Sequence, residues 1–313
     1  MPQIFQKTWG GSQFWGDVHY FRGWKIQQNV YTKHYRLLDA QNYRFASGTF
    51  ATCLDTLEEI TRKEALPPMS GDAVVLLHGI LRSSKNFFRL KPALRREGYL
   101  VVSFEYPSTR VDIETSAEYL RRTIESLHGV EKIHFVVHSM GGLVVRTMLR
   151  TYADPRFTRM VMLGTPNTGA QMADLLRHWR SFKFLYGLAG QQLVTDDDGY
   201  IKHLPIPEFE FAVIAGGRGN AAGFNPFIPG DDDGVVTLDC TRLIGAADFS
   251  VVPCIHSLLP SNREAMTQAL RFIKTGRLRA DGDPQPIPRG ESQESRDRKV
   301  EGPGSRVQGQ TAE

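Results

Sequence analysis

No apolar run in this 313-residue chain approaches the roughly 18 residues that would suggest a membrane span. The opening residues, MPQIFQKTWGG, carry no apolar signal core, so secretion by that route is not expected. Cysteine is scarce: Cys53, Cys240 and Cys254 cannot all pair. That count suits a reducing compartment and a cytoplasmic location, with a Cys240–Cys254 bridge left as the one pairing to consider. The formal net charge of +4 is modest, and much of the positive charge sits in pairs such as Arg95-Arg96 and Arg121-Arg122 on predicted helices. With no basic stripe interleaved with aromatics, no nucleic-acid partner is expected. The acidic run Asp196 to Asp198 lacks the alternation of a calcium loop and reads as a solvated turn, so no metal site is expected. There is no internal repeat.

A hydrophobic content of 41% and a charged content of 23% fit a soluble globular protein with one α/β domain plus extras. Short apolar strands alternate with amphipathic helices from residue 71 to about 278. Ala73 to Leu77, Tyr99 to Phe104, Ile133 to Val137, Phe157 to Leu163, Glu208 to Ala215 and a run from Phe249 read as strands. Asn86 to Glu97 and Val111 to Leu127 read as helices, the latter from Ala117, Leu120, Ile124 and Leu127 at spacings of three and four. Ser261 to Glu264 has the pattern of a capping box that starts a last helix. This rhythm predicts a mostly parallel sheet with helices on both faces, and such sheets bind ligands beyond the carboxyl ends of their strands. His134 is expected to alternate outward from the sheet.

Residues 1–70 form an aromatic-rich extension, read as a hairpin (Phe21 to Gln27 and His34 to Asp39) plus a helix through Cys53 to Arg62. Packing on the flank of the domain is the expectation. Contact with a membrane surface or a partner is the alternative, which exposed Trp and Phe would favour. Residues 279–313 are rich in charge, Gly, Pro, Ser and Gln and are expected to be disordered.

One stretch organises the whole. In KIHFVVHSMGGLVVRTMLRTY, Ile133 to Val137 form a buried-type strand, Gly141 and Gly142 permit a sharp bend, and Leu143, Val144, Met148 and Leu149 recur at helical spacing. Ser139 therefore sits on a tight strand-to-helix turn, with the Met140 N–H at the start of the helix. V-H-S-M-G-G resembles the nucleophile elbow of the α/β-hydrolases, usually G-x-S-x-G, in the form common among bacterial lipases and esterases. Val137 replaces the first glycine of that pattern.

Further stretches carry the resemblance in the family's order. L-L-H-G-I (Leu76 to Ile80) resembles the strand and loop that supply the second oxyanion-hole N–H, which falls on Ile80, with His78 and Gly79 shaping the loop. G-T-P-N-T-G (Gly164 to Gly169) resembles the loop that helps to line the acyl pocket, with Pro166 in it. Residues 171–205 break the strand-helix rhythm and fall where the family inserts a small helical cap, its apolar underside including Leu185. D-G-V-V resembles the segment of the acid, pointing to Asp233 with Asp232 as runner-up, and His256 follows the last strand where the family keeps its general base.

The resemblance thus implies an α/β-hydrolase fold and a serine hydrolase of carboxylic esters. Ser139 would be the nucleophile, His256 the base and Asp233 the acid, with the N–H groups of Ile80 and Met140 as oxyanion hole and no cofactor. The expected partner is a small ester or lipid. An amidase or acyltransferase with the same three residues, or a silent binding protein on the same fold, are the alternatives.

Overall fold

The computed structural model describes residues 6–8, 12–169, 189, 199–220 and 222–289. Its first part is an antiparallel sheet of five strands: β1 (Gln6–Lys7), β2 (Trp15–Phe21), β3 (Trp24–Asn29), β4 (Tyr35–Leu38) and β5 (Tyr43–Gly48), in the order β1-β5-β4-β3-β2. This corrects the expected hairpin. The strand Trp15–Phe21 was hidden because Gly16, Asp17 and His19 break its apolar alternation, and Asp17 is nevertheless buried. Helix α1 (Phe50–Lys63) follows, capped by the Thr49 side chain.

The tryptophans of this sheet are spent on packing. The Arg36 guanidinium lies 3.9 Å over the Trp15 ring, and Trp24 meets Phe45 edge-on at 4.7 Å.

The second part is an all-parallel sheet. Its strands are β6 (Ala73–Leu77), β7 (Leu100–Phe104), β8 (Ile133–His138), β9 (Phe157–Leu163), β10 (Glu210–Gly217) and β11 (Asp248–Pro253), in the order β11-β10-β9-β8-β6-β7. Continuous apolar runs suit it because both faces are covered. Ala73, Val75 and Leu77 of β6 point into one core, while Val74 and Leu76 point into the other. The strand order reverses beside β6, so the carboxyl ends of β6 and β8 open the crevice where such sheets bind ligands.

Helices α2 (Leu90–Arg96), α3 (Ile113–Glu125), α4 (Met140–Met148) and α5 (Arg263–Thr275) flank this sheet. The expected helix from Asn86 is split, with a 3-10 turn at Ser84–Phe87 preceding α2. Asn262, rather than Ser261, caps α5, its side chain accepting from the N–H groups of Glu264 and Ala265. Among the described residues no helix is long and apolar enough to cross a membrane. All three cysteines are buried free thiols, so Cys240 and Cys254 are not bridged.

The two sheets meet at β7, the edge of the parallel sheet. Three alternate carbonyls facing that edge are each met from the N-terminal sheet: Val101 by the Tyr20 hydroxyl at 3.3 Å, Ser103 by Lys25 Nζ at 2.9 Å and Glu105 by the Asp17 N–H at 2.9 Å. An open edge that would otherwise present free acceptors is thereby covered.

At the other end the expectation of disorder from residue 279 is corrected over 279–289. Buried Asp248 accepts from the Leu278 and Gln285 N–H groups and pairs with Arg279 at 2.7 Å, and buried Ile287 exchanges backbone hydrogen bonds with Gly245 and Ala246. Composition could not reveal a single buried carboxylate that gathers an otherwise polar segment. Residues 290–313 lie outside the described residues, as does nearly all of the expected cap at 171–205, except Ala189 and a short stretch from Gly199.

His134 is also corrected: it is buried, 3.8 Å from Asp72 Oδ2 and edge-on to Tyr99. Burial pulls its pKa down to about 4, only partly offset by Asp72. The unfolded ring titrates near about 6.5, so between these values the unfolded chain binds a proton that the native state refuses. Stability is therefore expected to fall as pH drops from about 6.5 to about 4. Urea unfolding across that range should show the slope flattened in His134→Gln.

Candidate functional site

Ser139 joins β8 to α4 with φ 53° and ψ −127°, a left-handed conformation that costs a non-glycine residue about 1–3 kcal/mol. Its N–H donates to Leu163 O of β9 at 2.9 Å, and its carbonyl accepts from Gly142 N at 3.0 Å. The turn also demands close approach of α4 to the end of β6. A Cβ on Gly141 would lie 2.8 Å from Leu77 O and 2.9 Å from His78 O. Val137, by contrast, is fully buried within β8, so the departure from the usual glycine is absorbed into the core.

His256 opens a short 3-10 turn just after β11. Its Nε2 lies 2.9 Å from Ser139 Oγ and its Nδ1 lies 2.6 Å from Asp233 Oδ2, joining groups 117 and 23 residues apart in the chain. The carboxylate can only accept, so Nδ1–H donates to it and the neutral ring turns the Nε2 lone pair to the serine hydroxyl. Asp233 is itself held rigidly. Its Oδ1 accepts from Val235 N at 3.0 Å and Val236 N at 2.8 Å, and its carbonyl accepts from His256 N at 2.8 Å.

Three adjacent aspartates are sorted by the donors they meet. Asp231 accepts from Arg218 N and Gly219 N at 2.7 and 2.8 Å. Asp232 is fully buried and turned away from the imidazole, accepting from Asn225 N at 3.0 Å and Gly234 N at 2.6 Å. Only Asp233 of the three is hydrogen-bonded to His256.

Beside Ser139 runs the loop from His78. A Cβ on Gly79 would stand 2.9 Å from Ser139 Cβ, so only glycine lets this loop come so near. The Gly79 carbonyl accepts from His78 Nδ1 at 2.8 Å and Arg82 N at 3.2 Å. Among the described residues there are no cis peptide bonds, so the Ile80 N–H points opposite to that carbonyl. Neither the Ile80 N–H nor the Met140 N–H has an acceptor among the described residues. Two free N–H groups on either side of a serine can hold an anionic oxygen there.

His78 is fully buried, stacked on Tyr106 at 4.3 Å, and its Nε2 stands 3.4 Å from Glu105 Oε2. Burial alone would raise the Glu105 carboxyl, but His78 and Lys25 outweigh it and hold its pKa at about 2.

His138, the residue immediately before Ser139, touches the site. Its Nε2–H donates to His256 O at 3.0 Å, and burial, with His256 nearby, pushes its pKa well below the usual value. Its place immediately before Ser139 was the only signal in the sequence. Pro166 is buried in the loop after β9, whose Asn167 carbonyl accepts from the buried Arg146 at 3.0 Å. Leu185 lies outside the described residues.

A family model described as the alpha/beta hydrolase fold matches residues 72–187. Among solved structures, the Bacillus licheniformis lipase BlEst2 in its propeptide form aligns with a TM-score of 0.50 at 21% identity, over 70% of this chain and 53% of that one. Its mature form gives 0.49 at 22% identity over 67% and 94%. A thermophilic esterase from Thermogutta terrifontis gives 0.47 at 17% identity over 67% and 91%. A search of curated proteins gave no match. The chain has the α/β-hydrolase fold; at these identities the likeness to solved structures is one of fold alone.

Because the buried Asp232 carboxylate holds the Asn225 and Gly234 N–H groups, Asp232→Ala is expected to cost about 1–3 kcal/mol. Chemical denaturation would measure this, and a shift below about 0.5 kcal/mol would contradict it.

Proposed function

We propose that the protein is a serine hydrolase of carboxylic esters, of lipase or carboxylesterase type. The observation that carries the reading is the continuous hydrogen-bonded line from Ser139 Oγ through His256 to Asp233, with the unoccupied N–H groups of Ile80 and Met140 beside it.

In this reading His256 Nε2 takes the hydroxyl proton as Ser139 Oγ attacks the ester carbonyl, and Asp233 stabilises the imidazolium that forms. The carbonyl oxygen becomes an oxyanion held by the two N–H groups, where one lost donor typically costs about 3–4 kcal/mol in the barrier. The tetrahedral adduct expels the alcohol, which takes the proton from His256, and leaves an acyl-serine. Water, deprotonated by the same ring, then releases the acid and restores the hydroxyl.

Exposed apolar side chains support an apolar acyl group. Leu81 follows Ile80, and Ile255 and Leu258 flank His256, all three exposed. The lipase neighbour supports an ester as substrate and says nothing of its acyl group.

A fluorophosphonate probe should add once to the wild type and not to Ser139→Ala, by intact mass. Hydrolysis of p-nitrophenyl esters of increasing chain length should fall by roughly 10⁴-fold or more in Ser139→Ala with folding intact. Asp233→Asn should lose most turnover while remaining folded. A probe adduct without ester turnover would favour an amidase or acyltransferase, and neither adduct nor turnover would favour a binding protein.

A further inference from the structure

The role of the N-terminal sheet can be read from what its first residues touch. Gln13 lies in the 3-10 turn Ser12–Phe14, which is anchored to the sheet by the Val30 N–H donating to Phe14 O at 2.9 Å. Its side chain reaches across to the loop after β7. There the Gln13 Oε1 accepts from Ser108 Oγ at 3.2 Å, Thr109 N at 3.1 Å and Thr109 Oγ1 at 3.0 Å. Its Nε2 also approaches Arg82 O at 3.5 Å.

Ser108 is fully buried, and its Oγ accepts from the Leu81 N–H at 3.2 Å. A hydroxyl has one proton. By taking that proton, Gln13 fixes the Ser108 rotor so that a lone pair faces Leu81. Leu81 needs such a hold, because at φ 57° it sits in a region that a leucine rarely adopts. It is bonded directly to Ile80, whose N–H has no acceptor among the described residues and is aimed by its backbone neighbours.

A second line runs in parallel. Asp17 exchanges backbone and side-chain hydrogen bonds with Glu105, and Glu105 Oε1 accepts from Ser84 N at 3.0 Å, at the far end of the same loop.

We propose that the N-terminal sheet is a positioning element for the Ile80 N–H, acting through Gln13, Ser108 and Leu81. The inference rests on the reading of Ile80 as an oxyanion donor. Gln13 touches no reacting atom in it. A lost or misplaced donor lowers the rate of the chemical step while ground-state binding is kept.

The test compares the full-length wild type with Gln13→Leu, Ser108→Ala, the double variant and Thr8→Ala. The last removes a sheet hydrogen bond, from the Thr8 hydroxyl to Asn42 O, in another part of the sheet. Three readouts are taken: kcat and KM on p-nitrophenyl butyrate, affinity for butylboronic acid as a tetrahedral mimic, and hydrogen exchange of the segment 79–84.

Gln13→Leu is expected to lower kcat about 5- to 50-fold with KM within about twofold. It should weaken the boronate in parallel and raise exchange at Leu81, and the double variant should be no worse than either single one. Thr8→Ala should change none of these. Wild-type kcat and boronate affinity in both Gln13→Leu and Ser108→Ala would overturn the proposal, as would additive losses in the double variant. Absence of both ester turnover and fluorophosphonate labelling in the wild type overturns the hydrolase reading instead. Exchange at Leu81 then still decides the Gln13 contact, with an unchanged rate in Gln13→Leu counting against it.

Discussion

Everything at the site depends on one close approach of backbone to backbone. The strand β8 must turn into α4 within a single residue, and Ser139 takes an unfavourable φ to do so. The strain persists only because its surroundings over-determine it. Leu163 O takes its N–H, Gly141 lets the helix lie against the carbonyls of Leu77 and His78, and Gly79 brings the neighbouring loop against the serine. Loosening any of these contacts would let the turn relax and would move Ser139 away from His256 and the Ile80 N–H together.

Around that turn, the three neighbouring aspartates are distributed so that each meets backbone donors of its own. Asp231, Asp232 and Asp233 would repel one another if they shared a solvent-poor pocket. Instead each is pinned by different backbone N–H groups, and only one turns to the imidazole. The same economy holds farther out. Arg146 ties the Thr165-Pro166-Asn167 loop to the carbonyls of Leu204 and Pro205, and Asp248 gathers the segment after α5. A buried charge without such partners would be costly, so these positions define loop geometry that apolar packing alone could not.

The antiparallel sheet adds to this frame. It closes the β7 edge by serving the Val101, Ser103 and Glu105 carbonyls, and α3 holds it from the other side through Thr123 and Ser126. Since β7 leads directly into the loop that carries Glu105, Tyr106 and Ser108, covering the edge and steadying the site are one structural act.

How much of this the sequence alone determined follows from the range of each interaction. The parallel strands were readable because β6 and β8 are buried on both faces, so that β6 is apolar throughout and β8 apolar but for His134 and His138, and the elbow was readable because H-S-M-G-G states a local backbone need in adjacent residues. The order of Ser139, Asp233 and His256 was readable as pattern. What only the tertiary structure decided depends on partners far apart in the chain: which aspartate faces the imidazole, the burial of His134 against Asp72, and the hold of Gln13 on Ser108 and Thr109, 95 and 96 residues away. Strand β2 stayed hidden for the same reason, since Asp17 reads as a surface residue until Lys25, Gln27 and Glu105 close around it. Local patterns encode burial and turns; the pairing of buried polar groups is encoded only in the fold that brings them together.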